Sequence, residues 1–335
     1  LACVREELET GGALRTLFEV LTGLAAAFAL AAAAPAAAQP YPSKPIRLVV
    51  PFAAGSATDS VSRILAQDLS QRLGQNVVVE NRPGANGQLA AAIVAKSAPD
   101  GSTLLMGSNT THAANPHLYK ALPYDPILDF EPIVRVGTLP FMLVVTASLP
   151  VDSTAQLIAY AKSHPGALAY AAANSASLVS AEIINVTAGT DLLRVAYKSS
   201  PEAILDLTAG RVQVMVADFV TAMPQVRAGK IKVLAVANAK RSSLLPYVAP
   251  IADTLKGFDV TSWPGLFAPA GTPQPVLARL GDETLAILGR PEIRQRLAAL
   301  GFEVDPLGRE QFGLYLREQL AYWGRLVRAA RIEPE

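Results

Sequence analysis

The run Ile46-Arg47-Leu48-Val49-Val50-Pro51-Phe52-Ala53-Ala54-Gly55-Ser56-Ala57-Thr58-Asp59-Ser60 constrains the fold more than any other stretch of the chain. A continuous apolar segment of this length reads as a strand buried on both faces, as parallel strands of α/β sheets are. Pro51 ends it, and the small residues Ala53 to Ala57 leave backbone N–H groups open to close approach by a ligand. Thr58, Asp59 or Ser60 can cap the helix that follows, whose apolar face is Val61, Ile64, Leu65 and Leu69 and whose stop is Gly74. A helix start outside the carboxyl end of a parallel strand is an anion site, because unpaired N–H groups and the helix dipole point at one spot. The plainer alternative is a simple βα turn.

The same grammar continues along the chain. Val77 to Glu80 reads as a second strand, Gln88 to Lys96 as a helix and Thr103 to Met106 as a third strand, which opens into the hydroxyl-rich loop Gly107-Ser108-Asn109-Thr110-Thr111-His112. Alternation at this spacing implies a parallel sheet with right-handed crossovers. A second set starts with a strand at Phe141 to Val145, a helix at Thr154 to Lys162 capped by Ser153, and a strand at Ala167 to Ala172. Asn174-Ser175-Ala176-Ser177 then leads into another helix, and Val195-Ala196-Tyr197-Lys198 ends a strand before Ser199-Ser200-Pro201. Val212 to Val216 runs toward Asp218, and Ile231 to Val236 is a further strand. Two α/β lobes therefore offer small polar loops to one crevice, where open α/β sheets bind ligands.

Composition removes most other classes of function. With 335 residues, 51% hydrophobic and 17% charged, the chain is long enough for two packed lobes and too apolar for disorder. A net charge of +1 without basic runs argues against nucleic acid. The single cysteine, Cys3, precludes a disulfide, and no Cys-based metal site or cofactor is called for. Residues 1–38 read as a secretory signal peptide, from Arg5 and Arg15, the apolar run Leu17 to Ala34 and the small residues Ala36-Ala37-Ala38, with cleavage before Gln39; an uncleaved anchor is the alternative. Removing them raises the net charge to +3. No Gly-x-Ser-x-Gly elbow, Walker loop or Gly-x-Gly-x-x-Gly is present, and His112 has no partner spacing of a catalytic triad. His117 and His164, beside prolines, read as solvated. Trp263 and Phe267 either line a hinge or pack a lobe. Asp59 either caps its helix or holds an ammonium group, and Lys198 either meets a distal carboxylate or lies free on the surface.

Tyr41-Pro42-Ser43-Lys44-Pro45-Ile46-Arg47-Leu48-Val49-Val50-Pro51-Phe52 followed by Asp59 resembles the opening signature of the Bug (TctC-type) extracytoplasmic solute receptors of tripartite tricarboxylate transporters. Val79 to Gly87, Pro99-Asp100-Gly101, Tyr119 to Phe130, Tyr197-Lys198, Asp206 to Gly210 and Trp263 to Pro273 are similar to the same family, in order, over residues 41–330. The resemblance implies a type II periplasmic-binding-protein fold: two lobes joined by two crossovers around a central cleft that closes on a small carboxylate. It places lobe 1 at 39–143 and 264–335 and lobe 2 at 144–263, with crossings near Leu143 to Ala147 and Phe258 to Phe267. In the family, backbone N–H groups and bridging waters grip the carboxylate, and the matching positions here are Phe52 to Asp59 and Asn174 to Ser177. Two departures concern ligand choice: Gly55-Ser56 stands where many relatives have two glycines, and Leu178 where many have a histidine four residues before Glu182.

The expected ligand contacts are Phe52, Ala54, Gly55, Ser56, Ala57 and Asp59 from the first loop and Ser108, Asn109 and Thr110 from the next. Asn174, Ser175, Ala176, Ser177, Tyr197, Lys198 and Asp218 come from the second lobe, with Ser199 outside the anion grip. The implied function is a non-catalytic, monomeric periplasmic receptor that captures a di- or tricarboxylate, an acidic amino acid or an aromatic acid. It would deliver that ligand to large and small membrane permease subunits. A sensor of the same fold acting on a receptor kinase, and a secreted hydrolase, are the alternatives.

Overall fold

The computed structural model describes Phe18, Thr22 and residues 41–335 apart from Ser243. The predicted signal peptide therefore lies, but for Phe18 and Thr22, outside the described residues. Among the described residues no helix is long and apolar enough to cross a membrane.

The elements follow in chain order. They begin with β1 (Ile46–Val50), α1 (Ala57–Leu73), β2 (Val77–Asn81), α2 (Gln88–Ala95) and β3 (Thr103–Ser108). A π-helical turn (Thr110–Ala114) then leads into α3 (Asn115–Leu118), β4 (Phe130–Arg135) and β5 (Phe141–Thr146). Next come α4 (Thr154–Ser163), β6 (Ala169–Ala172), α5 (Ser175–Ala188), β7 (Leu193–Ala196) and α6 (Ser200–Thr208). The chain closes with β8 (Val214–Asp218), α7 (Phe219–Arg227), β9 (Ile231–Val236), β10 (Pro264–Pro269), α8 (Gln274–Gly289), α9 (Pro291–Ala299) and α10 (Arg309–Ala329).

Two five-stranded sheets result, ordered β2-β1-β3-β10-β4 and β7-β6-β8-β5-β9. The orders are equivalent: in each sheet the fourth strand is the one that arrives from the other sheet, and it runs antiparallel to both neighbours. β1, β2 and β3 are parallel, as are β6, β7 and β8. The Val- and Leu-rich runs of the inner strands β1, β3 and β8 are buried because helices cover both faces, while the edge strands β2 and β7 are partly exposed. The expected strands are present, with β8 set two residues later than Val212 and ending on Asp218.

Two strands carry no clear signal in the sequence. β4 contains Pro132 and charged Glu131 and Arg135, which an edge strand tolerates because one row of its backbone groups needs no partner. β10 is central yet bounded by Pro264 and Pro269. Gly265 is required there, since a Cβ would stand 2.4 Å from Cζ of Phe312.

The outgoing crossing runs through 136–140 rather than near Leu143 to Ala147, because all of Phe141–Thr146 is strand in the second sheet. A lobe boundary after residue 143 would cut β5 in half. The return enters β10 at Pro264, and the two crossings pair where Leu139 N–H donates to Ser262 O (2.8 Å) and Ser262 N–H to Leu139 O (3.2 Å). A third segment braces them: Thr138 and Glu303 exchange backbone bonds, as do Arg135 and Leu307. Buried Arg135 adds a 2.7 Å ion pair to Asp305 and lies 4.6 Å from the Tyr315 ring centroid. Trp263 and Phe267 are fully buried against Phe312, so both pack the first lobe.

Candidate functional site

The carboxyl ends of the inner strands converge on a cavity of about 20 Å³ between the two sheets. Its wall is made from the starts of four helices: Ser56, Ala57 and Thr58 of α1, Asn174 of α5, Ser199 and Ser200 of α6, and Asp218 of α7. Ser108, Asn109 and Thr110 join from the end of β3, and Phe52, Leu139, Phe141 and Ser262 close it. The N–H groups of Ala57 and Thr58 head α1 and so have no acceptor within the helix. Four helix dipoles thus present their positive ends to one space. Such a wall can receive an anion without any cation; Asp218 is its one ionisable residue.

Local sequence builds each start. Ser56, rather than Thr58, Asp59 or Ser60, caps α1: it has extended backbone and its Oγ accepts Asp59 N–H. Asn174 and Ser177 form a reciprocal capping box on α5, and Asp218 caps α7 through Thr221 N–H at 2.9 Å. Beyond β3 the expected loop is instead a π-helical turn. Thr111 Oγ1 accepts Ser108 N–H (3.0 Å) and is 2.8 Å from Nδ1 of His112, fixing the turn from behind.

The lobes bond directly across the cavity. Thr110 Oγ1 lies 2.8 Å from Ser175 Oγ, which also accepts from Asn109 Nδ2 at 3.1 Å. Ala53 N–H donates to Ser199 Oγ at 3.2 Å, and Ser262 Oγ bonds Asn109 Oδ1 from the return crossing. Ser199 is therefore part of the wall and of the interlobe contact, not a bystander in the cleft.

Of the expected contacts, the structure brings together Phe52, Ser56, Ala57, Ser108, Asn109, Thr110, Asn174 and Asp218. Ala54 and Gly55 are exposed, and the Gly55 N–H is taken by Asp59 Oδ2. Asp59 is buried behind the loop, where burial pushes its carboxyl up but bonds from Arg63, Gly55 and Asn81 outweigh this and hold it below the usual carboxylate range. It braces the loop and is neither helix cap nor wall. Ser175 faces lobe 1, the Ser177 hydroxyl is used up in the capping box, and Ala176 is buried. Tyr197 bonds Asp206 at 2.9 Å and borders an adjoining pocket with Asn86, Tyr119 and Arg194, while Lys198 is exposed outside the cavity wall.

Ser199, Ser200, Leu139, Phe141 and Ser262 are wall residues absent from the expected set, and Thr58, within the stretch Phe52 to Asp59, joins them. Ser199-Ser200 carries the same strand, small loop and helix-start pattern and was legible; the crossing residues have no local signature. His112 is fully buried, stacked 3.8 Å from Phe267, and burial lowers its pKa to about 3, so it stays neutral as packing. His117 is half-buried with Nε2 at 2.8 Å from Leu320 O, whereas His164 is exposed and stacked on Tyr160. No group of His, Cys, Asp and Glu suited to a metal occurs among the described residues.

The sequence profile described as "Tripartite tricarboxylate transporter family receptor" matches residues 61–332. This chain belongs to that receptor family. A UPF0065 protein of Bordetella bronchiseptica is 38% identical over 93% of the chain and 94% of its own length. Among solved structures, an R. palustris protein with adipate (Rpa4515) is 34% identical with a TM-score of 0.86, covering 88% of this chain and all of that one. The periplasmic binding protein BugD is 33% identical with a TM-score of 0.84, at 88% and full coverage. The tripartite tricarboxylate transporter receptors are non-enzymatic extracytoplasmic binding proteins of two lobes, so this chain is a receptor and not an enzyme.

Proposed function

We propose that the protein captures a small carboxylate between its lobes in the periplasm and hands it to the large and small membrane subunits of a tripartite tricarboxylate-type transporter. The observation that carries this reading is the cavity wall, in which four helix starts and the hydroxyls of Ser56, Ser108, Thr110, Ser199 and Ser200 surround a space with no cation. A carboxylate is the anion such neutral donors suit, and the adipate held by the R. palustris relative is a dicarboxylate. The ligand class is a di- or tricarboxylate, an acidic amino acid or an aromatic acid. At about 20 Å³ the cavity matches roughly a single water, so a carboxylate enters only when the lobes part. The protein acts as a monomer, because one chain supplies both walls.

Thermal-shift measurements against mono- and dicarboxylates, amino acids and aromatic acids test the reading. A ligand that binds only the folded state adds about 2.7 kcal/mol at a hundredfold excess over Kd. A carboxylate should raise Tm while its methyl ester does not; no shift from any carboxylate would sink the proposal. Export is tested separately by N-terminal sequencing of the secreted protein, which should begin near Gln39 and would count against export if residues 1–38 remained.

A further inference from the structure

Asp218 is an unusual neighbour for a bound anion. It is 2% exposed, sits at the end of β8 and belongs to the cavity wall together with the first turn of α1. Its Oδ1 accepts both the N–H and the hydroxyl of Thr221, each at 2.9 Å, and the Ser200 hydroxyl also bonds it. Asn174 Nδ2 reaches Ser200 Oγ at 3.4 Å, and Ser199 Oγ meets Ala53 N–H, which ties the aspartate to the loops around the cavity. All of its partners are neutral, and no lysine, arginine or histidine shares the wall.

An ionised carboxylate only accepts hydrogen bonds. A second carboxylate in so small a space repels it, and a methylene set against it leaves a buried charge facing carbon. Both penalties fall when the ligand turns a hydroxyl or ammonium toward Asp218. Sites built around such a bond reject the analogue that lacks the donor, because their own polar group is then left unpaired.

We propose that Asp218 selects carboxylates that carry a hydroxyl or ammonium donor close to the carboxyl group, and disfavours the plain acids of the same length. The inference rests on the carboxylate-receptor reading above and narrows it to hydroxy and amino acids. Burial, which pushes the Asp218 carboxyl above the usual range, adds a reason for the site to favour a donor that stabilises its charge.

The test is calorimetric titration of the whole receptor with matched pairs at pH 7.5: succinate against L-malate and L-aspartate, glutarate against 2-hydroxyglutarate and L-glutamate, and phenylacetate against mandelate. In every pair of which a member binds, the donor-bearing acid should be tighter by about tenfold or more. Asp218→Asn is the informative variant, since asparagine caps a helix as well as aspartate does. With its oxygen kept on Thr221, asparagine puts an NH2 where aspartate has its second oxygen, which replaces an acceptor with a donor and should favour the plain acid, so the preference should shrink to about threefold or reverse while Tm stays within a few degrees. Equal affinities within the pairs, or a preference that survives Asp218→Asn, would overturn the inference and leave the receptor reading intact. Plain acids that bind tightly with uptake of one proton, seen as heats that vary with buffer, would also overturn it, because Asp218 would then serve as a protonated donor. Absence of binding by all of these acids and by adipate would reject both readings together.

Discussion

Ser56 shows how one residue can serve fold and site at once. It is nearly buried, caps α1 and stands in the cavity wall, so it is not the surface position that a loop of small residues suggests. Ser56→Ala should cost about 1 kcal/mol of stability through the lost cap and weaken carboxylate binding by a few fold through the lost hydroxyl. Ser56→Leu should cost a similar amount but weaken carboxylate binding at least about thirtyfold, because the added side chain displaces an anion held by bonds of about 1.5–3 kcal/mol each. Denaturant unfolding and titration of both variants separate the two effects, and tight binding by a folded Ser56→Leu protein would remove the anion from this helix start. His112 offers a second residue-scale test. Burial lowers its pKa to about 3, below the ordinary 6.5, so the unfolded chain binds the extra proton between these values. Its contribution is present above pH 6.5 and is lost as pH falls toward 3. Between pH 7.5 and 5 the parent should therefore lose about 2 kcal/mol that His112→Phe retains. Parallel stability curves for the two proteins would contradict the assignment.

At the scale of elements, the site is built from helix starts because β1, β6 and β8 each lead into a small polar residue, Ser56, Asn174 and Asp218, whose side chain also caps the next helix. Backbone donors at such starts hold an anion in fixed geometry, with no long side chain to order on binding. The crossings are the other critical elements. Gly137 lies in the outgoing crossing, where a Cβ would stand 2.3 Å from the Glu303 carbonyl oxygen and 3.1 Å from Asp305 N. Backbone cannot yield as a side-chain tip does, so Gly137→Ala should separate the 303–305 brace from the crossing and cost about 1–3 kcal/mol. Differential scanning calorimetry should show the lower Tm, and faster amide exchange at Thr138 and Glu303 should accompany it. An unchanged Tm would show that the brace carries little stability.

For the whole molecule, function depends on two lobes that meet at the cavity through neutral hydrogen bonds and outside it through the 2.9 Å Arg194–Glu335 ion pair and the packing of Gly301 against Phe219. The interlobe bonds at the cavity are Ser175 to Thr110 and Asn109, and Ser199 to Ala53; all are neutral and individually worth about 1 kcal/mol. A ligand touching both walls stabilises the closed form by its differential affinity for it. Small-angle scattering should therefore give a smaller radius of gyration with a saturating ligand than without. Ser175→Ala, which removes both bonds to the first lobe, should enlarge the ligand-free radius or leave it unchanged, and should weaken binding. An unchanged radius on saturation with a ligand that raises Tm would argue against closure between the lobes.

The sequence by itself determined the α/β class, nearly all strands and helices, and the places where small polar residues start helices. These depend on side-chain period and on capping between residues a few positions apart, as with Asn174 and Ser177. Only the tertiary structure decided which starts share a cavity. Thr110 and Ser175 meet across 65 positions, Ala53 and Ser199 across 146, and Leu139, Phe141 and Ser262 enter the wall through crossings that leave no periodic trace. It also decided that Asp59, beside the loop in sequence, turns away to Asn81 and Arg63, and that the Tyr197 hydroxyl goes to Asp206. Local order follows from neighbours along the chain, whereas convergence follows from how two sheets pack around their crossings, which no short window of residues contains.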